Sequence, residues 1–230
     1  MPGSERSELR DKWAIYELDG KTWQPVKHYE FCTAEEFWLL WNNLPELHSI
    51  ETTFYVMKRN IAPQWESEDN AFGGRLECAK SGSMSSPEQN NFFCFIRDTI
   101  LRIIGATIPE YDSVTGFEFQ VSQKKNTQRF RVWIKHCPET VFRAVGQEMM
   151  IIQDHNGADE LVKFCPFYTI YQKEASNDKY NKRKDAPPPR PLDIEQWYKS
   201  KPHRINWTRP NKEWLVMKDL VISRPRTNEQ

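Results

Sequence analysis

Two stretches of this chain alternate apolar and polar residues in opposite phase. In 116–122, Phe117, Phe119 and Val121 share one side, and in 129–135, Phe130, Val132 and Ile134 oppose Arg129, Arg131 and Trp133. A period of two places alternate side chains on opposite faces of a strand, so both stretches are expected as strands. Lys124-Lys125-Asn126 supplies the turn that makes them a hairpin. Residues 12–17, 26–32, 52–57 and 75–78 read as further strands, rich in aromatic and β-branched residues, and 161–171 as a last clear one. Asp19-Gly20 and Trp23 lie in the loop between the first two, and Gly73-Gly74-Arg75 turns into the fourth.

Elsewhere the spacing is helical. Thr33-Ala34-Glu35-Glu36 is a capping box, a hydroxyl at the N-cap answered by a carboxylate three residues later, and it opens a helix over 34–43. Phe37, Leu40, Trp41 and Leu44 make one apolar stripe on it, while Ala34 and Trp38 lie four apart on another flank. A second helix is expected over 92–104, ended by Gly105, and a third over 139–151 after Pro138. Residues 81–90, mostly Ser, Gly, Pro, Gln and Asn, read as a mobile surface loop. Strands with hairpin-length connections and three helices predict an α+β fold: a single domain with a curved antiparallel β-sheet and three helices on its convex face.

Composition changes this picture at one end. The 230 residues carry equal numbers of acidic and basic side chains, but 179–226 holds 13 Lys and Arg against 5 Asp and Glu. That segment also holds Pro187-Pro188-Pro189 and three isolated tryptophans, Trp197, Trp207 and Trp214. It reads as a basic extension suited to a polyanion, with 214–222 adding a strand. The expected organisation is a flexible start over 1–10, a folded unit over 11–173 and a partly ordered extension over 174–230. Five scattered cysteines form no CxxC pair, which supports neither a zinc site nor a disulfide framework. No apolar run is long enough to span a bilayer, and the expectation is a reducing, cytoplasmic setting.

The loop Pro63-Gln64-Trp65-Glu66-Ser67-Glu68-Asp69-Asn70 sets a large aromatic among acids and amides. A tryptophan there either folds back onto the edge of the core or serves as a stacking platform. If Trp23 and Trp65 stand on loops at one rim of the sheet and face each other, a flat cationic ring fits between them. Each face then contributes about 0.5–2 kcal/mol of cation–π attraction. A neighbouring carboxylate such as Glu66 can accept two N–H donors from a guanine edge, and guanine methylated at N7 is such a ring.

Several motifs recur in order: Lys21-Thr22-Trp23, Phe37-Trp38, Ile61 to Glu66, Asn70 with Gly73-Gly74-Arg75, Ile103-Ile104-Gly105 and Val132-Trp133. Together they resemble the eukaryotic translation initiation factor 4E family, the messenger RNA cap-binding proteins, over 9–171. The resemblance implies that Trp23 and Trp65 stack the methylated base, Glu66 reads its edge and Trp133 packs near the methyl group. It implies phosphate contacts from Arg75 and Arg129, with Lys124 and Lys125 as candidates. It also implies a second surface, with Ala34, Trp38, Asp98 and Leu101, for a scaffold or binding protein carrying a short helical motif. The expected molecule is then a monomer apart from that partner, with no cofactor and no metal. Ser122 falls where the family carries a phosphate-binding arginine, Arg97 stands at an apolar position, and Leu76, Ile96 and Tyr16 replace tryptophans.

Three alternatives remain open on sequence. A cap-binding repressor would use the same residues. A nucleotide-processing enzyme would use Glu66, Glu68 and Asp69 to hold a metal, although no poised nucleophile or phosphate-cradling glycine loop accompanies them. Trp38 could be core rather than interface.

Overall fold

A computed structural model describes residues 6–18, 24–43, 53–65, 67–70, 73–82, 87–122, 124–167 and 220–221. The strands are β1 (Glu8–Leu18), β2 (Pro25–Thr33), β3 (Thr53–Lys58), β4 (Gly74–Ser81), β5 (Val114–Ser122), β6 (Thr127–Ile134), β7 (Lys163–Pro166) and β8 (Leu220–Val221). The helices are α1 (Ala34–Asn43), α2 (Pro87–Ile104) and α3 (Glu139–Asn156). The strands form one curved sheet in the order β2-β1-β3-β5-β6-β4-β7-β8, with every pairing antiparallel.

The alternation in the sequence sorts the two faces. Trp13, Leu76, Cys78, Phe117, Phe119, Val121, Phe130, Val132 and Ile134 join one core beneath the helices. From α2 come Phe92, Phe95, Ile96, Ile100 and Ile103, and from α3 Phe142, Val145, Met149 and Ile152, at helical spacing. Phe142 stacks on Phe164 with centroids 4.1 Å apart, which fixes α3 over β7. The opposite face carries a smaller cluster of Ala14, Tyr16, Tyr55, Met57, Trp133 and Phe167.

The capping box forms as expected. Glu36 N–H donates to Thr33 Oγ1 at 3.2 Å, and Glu36 Oε2 accepts from the backbone of Cys32 and Thr33. Residues 87–90, expected in a loop, are instead the opening turn of α2: proline is suited to the first helical position, where no N–H partner is needed. The left-handed residue that ends α2 is Ala106 rather than Gly105, and Thr107 N–H donates back to the Arg102 carbonyl. Helix α3 runs five residues past its expected end to a left-handed Gly157, and β7 covers only four residues of the expected 161–171. Residues 168–171, Leu44 and all of the basic extension except 220–221 lie outside the described residues.

Candidate functional site

Gly73 and Asn70 shape the loop that carries Trp65. Gly73 approaches the β6 backbone so closely that an added Cβ would lie 2.1 Å from the Ile134 carbonyl oxygen, which demands glycine at the end of the β3–β4 loop. The buried side chain of Asn70 then gathers that loop. Its amide donates to the carbonyls of Ala62 and Gln64 at 2.9 and 3.0 Å and lies 3.0 Å from Ser67 Oγ. The half-buried Trp65 packs with Ile61 against the Tyr16, Tyr55, Met57, Trp133 and Phe167 cluster. The ring therefore folds back onto an aromatic floor, as one of the two sequence readings had it, and remains partly exposed.

Cross-strand register builds that floor in rungs. One rung runs Ala14, Met57, Gly116, Trp133, Arg75 and Cys165 across β1, β3, β5, β6, β4 and β7. The next runs Tyr16, Tyr55, Glu118, Arg131, Glu77 and Lys163. Trp133 meets the edge of Tyr55 at 5.9 Å and 90°, and Phe167 lies 4.7 Å from it. Its indole Nε1 donates to Glu118 Oε2 at 3.2 Å.

Two arginines and two glutamates complete the floor. Arg131 donates to Glu118 and, through Nε, to Glu77 at 2.5 Å. Burial opposes its charge, but the two carboxylates outweigh burial and hold it above the usual arginine value. Burial works against the charge of the half-buried Glu77, yet Arg131 keeps its carboxyl below the usual range. Arg75 stands 3.6 Å from Glu77 and 3.7 Å from Glu118, with its buried Nε lacking an acceptor. Burial and the adjacent Arg131 cation lower its pKa. Neither Glu118 nor Glu77 was singled out in the sequence, and Arg131 entered only as one of the residues opposing the apolar side of its strand.

Arg129, half-buried, lies one further rung along β6, about 7 Å beyond Arg131 at two residues of strand rise. Ser122 pairs with Thr127 at the end of that ladder, and Lys124 and Lys125 are exposed in the turn beyond it. Glu17 pairs with Phe54 and Trp13 with Lys58, so the chain leaves β1 and β3 at opposite ends of their shared ladder. Trp23 and Glu66 lie outside the described residues.

On the helical side, Trp38 is 42% exposed, and its ring meets Phe37 edge-on at 5.3 Å. That exposure rules out a core position for Trp38. Ala34 opens α1, and Leu101 packs partly buried against the core. Asp98 accepts from Arg97 at 2.8 Å and from Asn156 at 3.0 Å; burial works against its charge, but these bonds hold its pKa down. Glu68 and Asp69 are exposed. Among the described residues no three His, Cys, Asp or Glu side chains meet as a metal site.

The family model for eukaryotic initiation factor 4E matches residues 8–185. The chain belongs to that family. An initiation factor 4E of Candida glabrata is 27% identical over 179 residues, covering 73% of this chain and 81% of the relative. One from Candida albicans is 29% identical over 152 residues, covering 61% and 70%. Among solved structures, an Ascaris suum initiation factor 4E-3 in complex with m7G cap has a TM-score of 0.61 at 21% identity, covering 69% of this chain and 90% of that one. A schistosome initiation factor 4E complexed with m7GpppA and 4E-BP also has a TM-score of 0.61, at 20% identity, covering 74% and 92%. At these identities the structural likeness is one of fold. For this 4E-family chain, the shared fold accounts for the sheet with helices on one face. No helix among its described residues is long and apolar enough to cross a membrane.

Proposed function

We propose that this member of the 4E family binds the 7-methylguanosine cap of messenger RNA on the sheet face opposite its helices, as a binding factor rather than an enzyme. The methylated base stacks between Trp23 and Trp65, Glu66 accepts its N1 and N2 hydrogens, and Trp133 borders the methyl group. Arg129, Lys124 and Lys125 follow one another along β6 and its turn and take the phosphates. Arg75, on the neighbouring strand, is the further phosphate contact. The carrying observation is that Trp65 sits half-buried against the aromatic floor, on a loop gathered by Asn70. A ring held in this way offers a face without paying to order itself on binding.

The exposed Trp38, with Ala34, Asp98 and Leu101, serves a scaffold or binding protein carrying a short helix. Residues 11–173 form the cap-binding unit and 174–230 a basic extension. Retention of the full chain on immobilised 7-methylguanosine triphosphate tests the reading. Release by the free methylated nucleotide and not by equimolar GTP is expected; passage through the resin unretained contradicts it.

A further inference from the structure

The floor contains a carboxylate for which the roles above leave no use. Glu118 is 3% exposed, on the strand that pairs with both β3 and β6. Directly across from Trp133 stands Gly116, which has no side chain, so the acceptor for the indole N–H comes from the diagonal neighbour. The two oxygens of Glu118 are divided. Oε2 takes the Trp133 N–H at 3.2 Å, with Arg75 Nη1 farther off at 3.7 Å, and Oε1 takes Arg131, whose Nε is spent on Glu77. The Glu118–Arg131 pair is therefore a dipole whose negative end meets the indole and whose positive end faces β4.

We infer that Glu118 is a positioning residue for Trp133 that sets the preference of the site for a cationic over a neutral base. The inference rests on the cap reading. Trp133 exposes only 3% of its surface, so the part of the ring that meets a ligand depends on the angle at which the ring is held. A hydrogen bond to an ionised acceptor fixes that angle more firmly than one to a neutral group. The same bond draws the N–H proton toward the carboxylate and enriches the ring, which strengthens its attraction for a positive ligand. A neutral guanine gains nothing from that enrichment.

The test is the ratio of affinities for 7-methylguanosine triphosphate and GTP, measured by calorimetry on the full chain. A wild-type ratio near one overturns the cap reading and this inference together. Given a wild-type preference, Glu118→Gln is expected to lower the ratio about fivefold, the size of a modest cation–π term, by weakening the methylated ligand while sparing GTP. Equal weakening of both ligands, which general damage to the floor would produce, overturns the inference. The double variant Glu118→Gln with Arg131→Gln removes the charge imbalance and is expected to keep the lowered ratio; a return to the wild-type ratio overturns the inference. Should Glu118→Gln not fold, Glu118→Asp keeps the charge but withdraws it from the indole, and a ratio unchanged from wild type there also overturns it.

Discussion

The side-chain amide of Asn70 donates to the carbonyl of Gln64, the residue that precedes Trp65, at 3.0 Å. The same nitrogen reaches Ala62, so one buried amide closes the loop on both sides of Pro63. Asn70→Ala leaves those carbonyls without their donor, at a cost of about 1–3 kcal/mol. Denaturant unfolding should show that loss, and binding of 7-methylguanosine triphosphate should weaken with it as Trp65 loses its fixed seat. Unchanged stability and affinity would mean that the loop holds itself.

Gly73 makes a similar prediction from sterics. A methyl group there would lie 2.1 Å from the backbone oxygen of Ile134, and neither backbone can yield cheaply. Gly73→Ala should destabilise the fold by roughly 1–3 kcal/mol, the usual range for overpacking. A thermal melt equal to wild type would contradict the close approach of loop and β6.

Stability should depend on pH through Glu77. Its folded pKa is depressed below 4.5, so the unfolded chain binds the proton more readily than the folded one. The resulting stabilisation is complete above the unfolded value and is lost as pH falls through the lower folded value. Acid titration of the folded state should therefore be shallower in Glu77→Gln than in wild type over that window. Parallel curves would show that the Arg131 pairing does not favour the ionised form.

Trp38→Ala should change stability by less than about 1 kcal/mol, because a side chain this exposed contributes little core area. Cap binding should be retained while capture of a short helical partner peptide is lost. Unfolding of the variant would restore the core role that its 42% exposure denies.

The sequence disclosed those features that local rules control. The capping box at Thr33 and Glu36 needs only four consecutive residues, and α1 opens directly behind it as expected. The hairpin of β5 and β6 followed from alternation and its turn. Pro87 was read as a loop residue because its neighbours are polar, although its fixed φ also suits a helix start. The floor was harder to see. Arg131 and Glu118 are 13 positions apart, and only the strand register sets them opposite one another. Alternation set Arg131 on the side opposite the apolar residues without telling that it is buried there. That β1 and β3 run antiparallel, with Glu17 beside Phe54 and Trp13 beside Lys58, is likewise a property of pairing, which spacing along the chain does not carry.

The central claim is that a positively charged, methylated guanine is selected by stacking. Fluorescence titration of the full chain with 7-methylguanosine triphosphate and with GTP tests it most directly. Strong tryptophan quenching by the first, far weaker binding of the second and loss of that difference in Trp65→Ala are the expected results, because only the methylated ring carries the charge. Equal affinities for the two nucleotides would contradict the account.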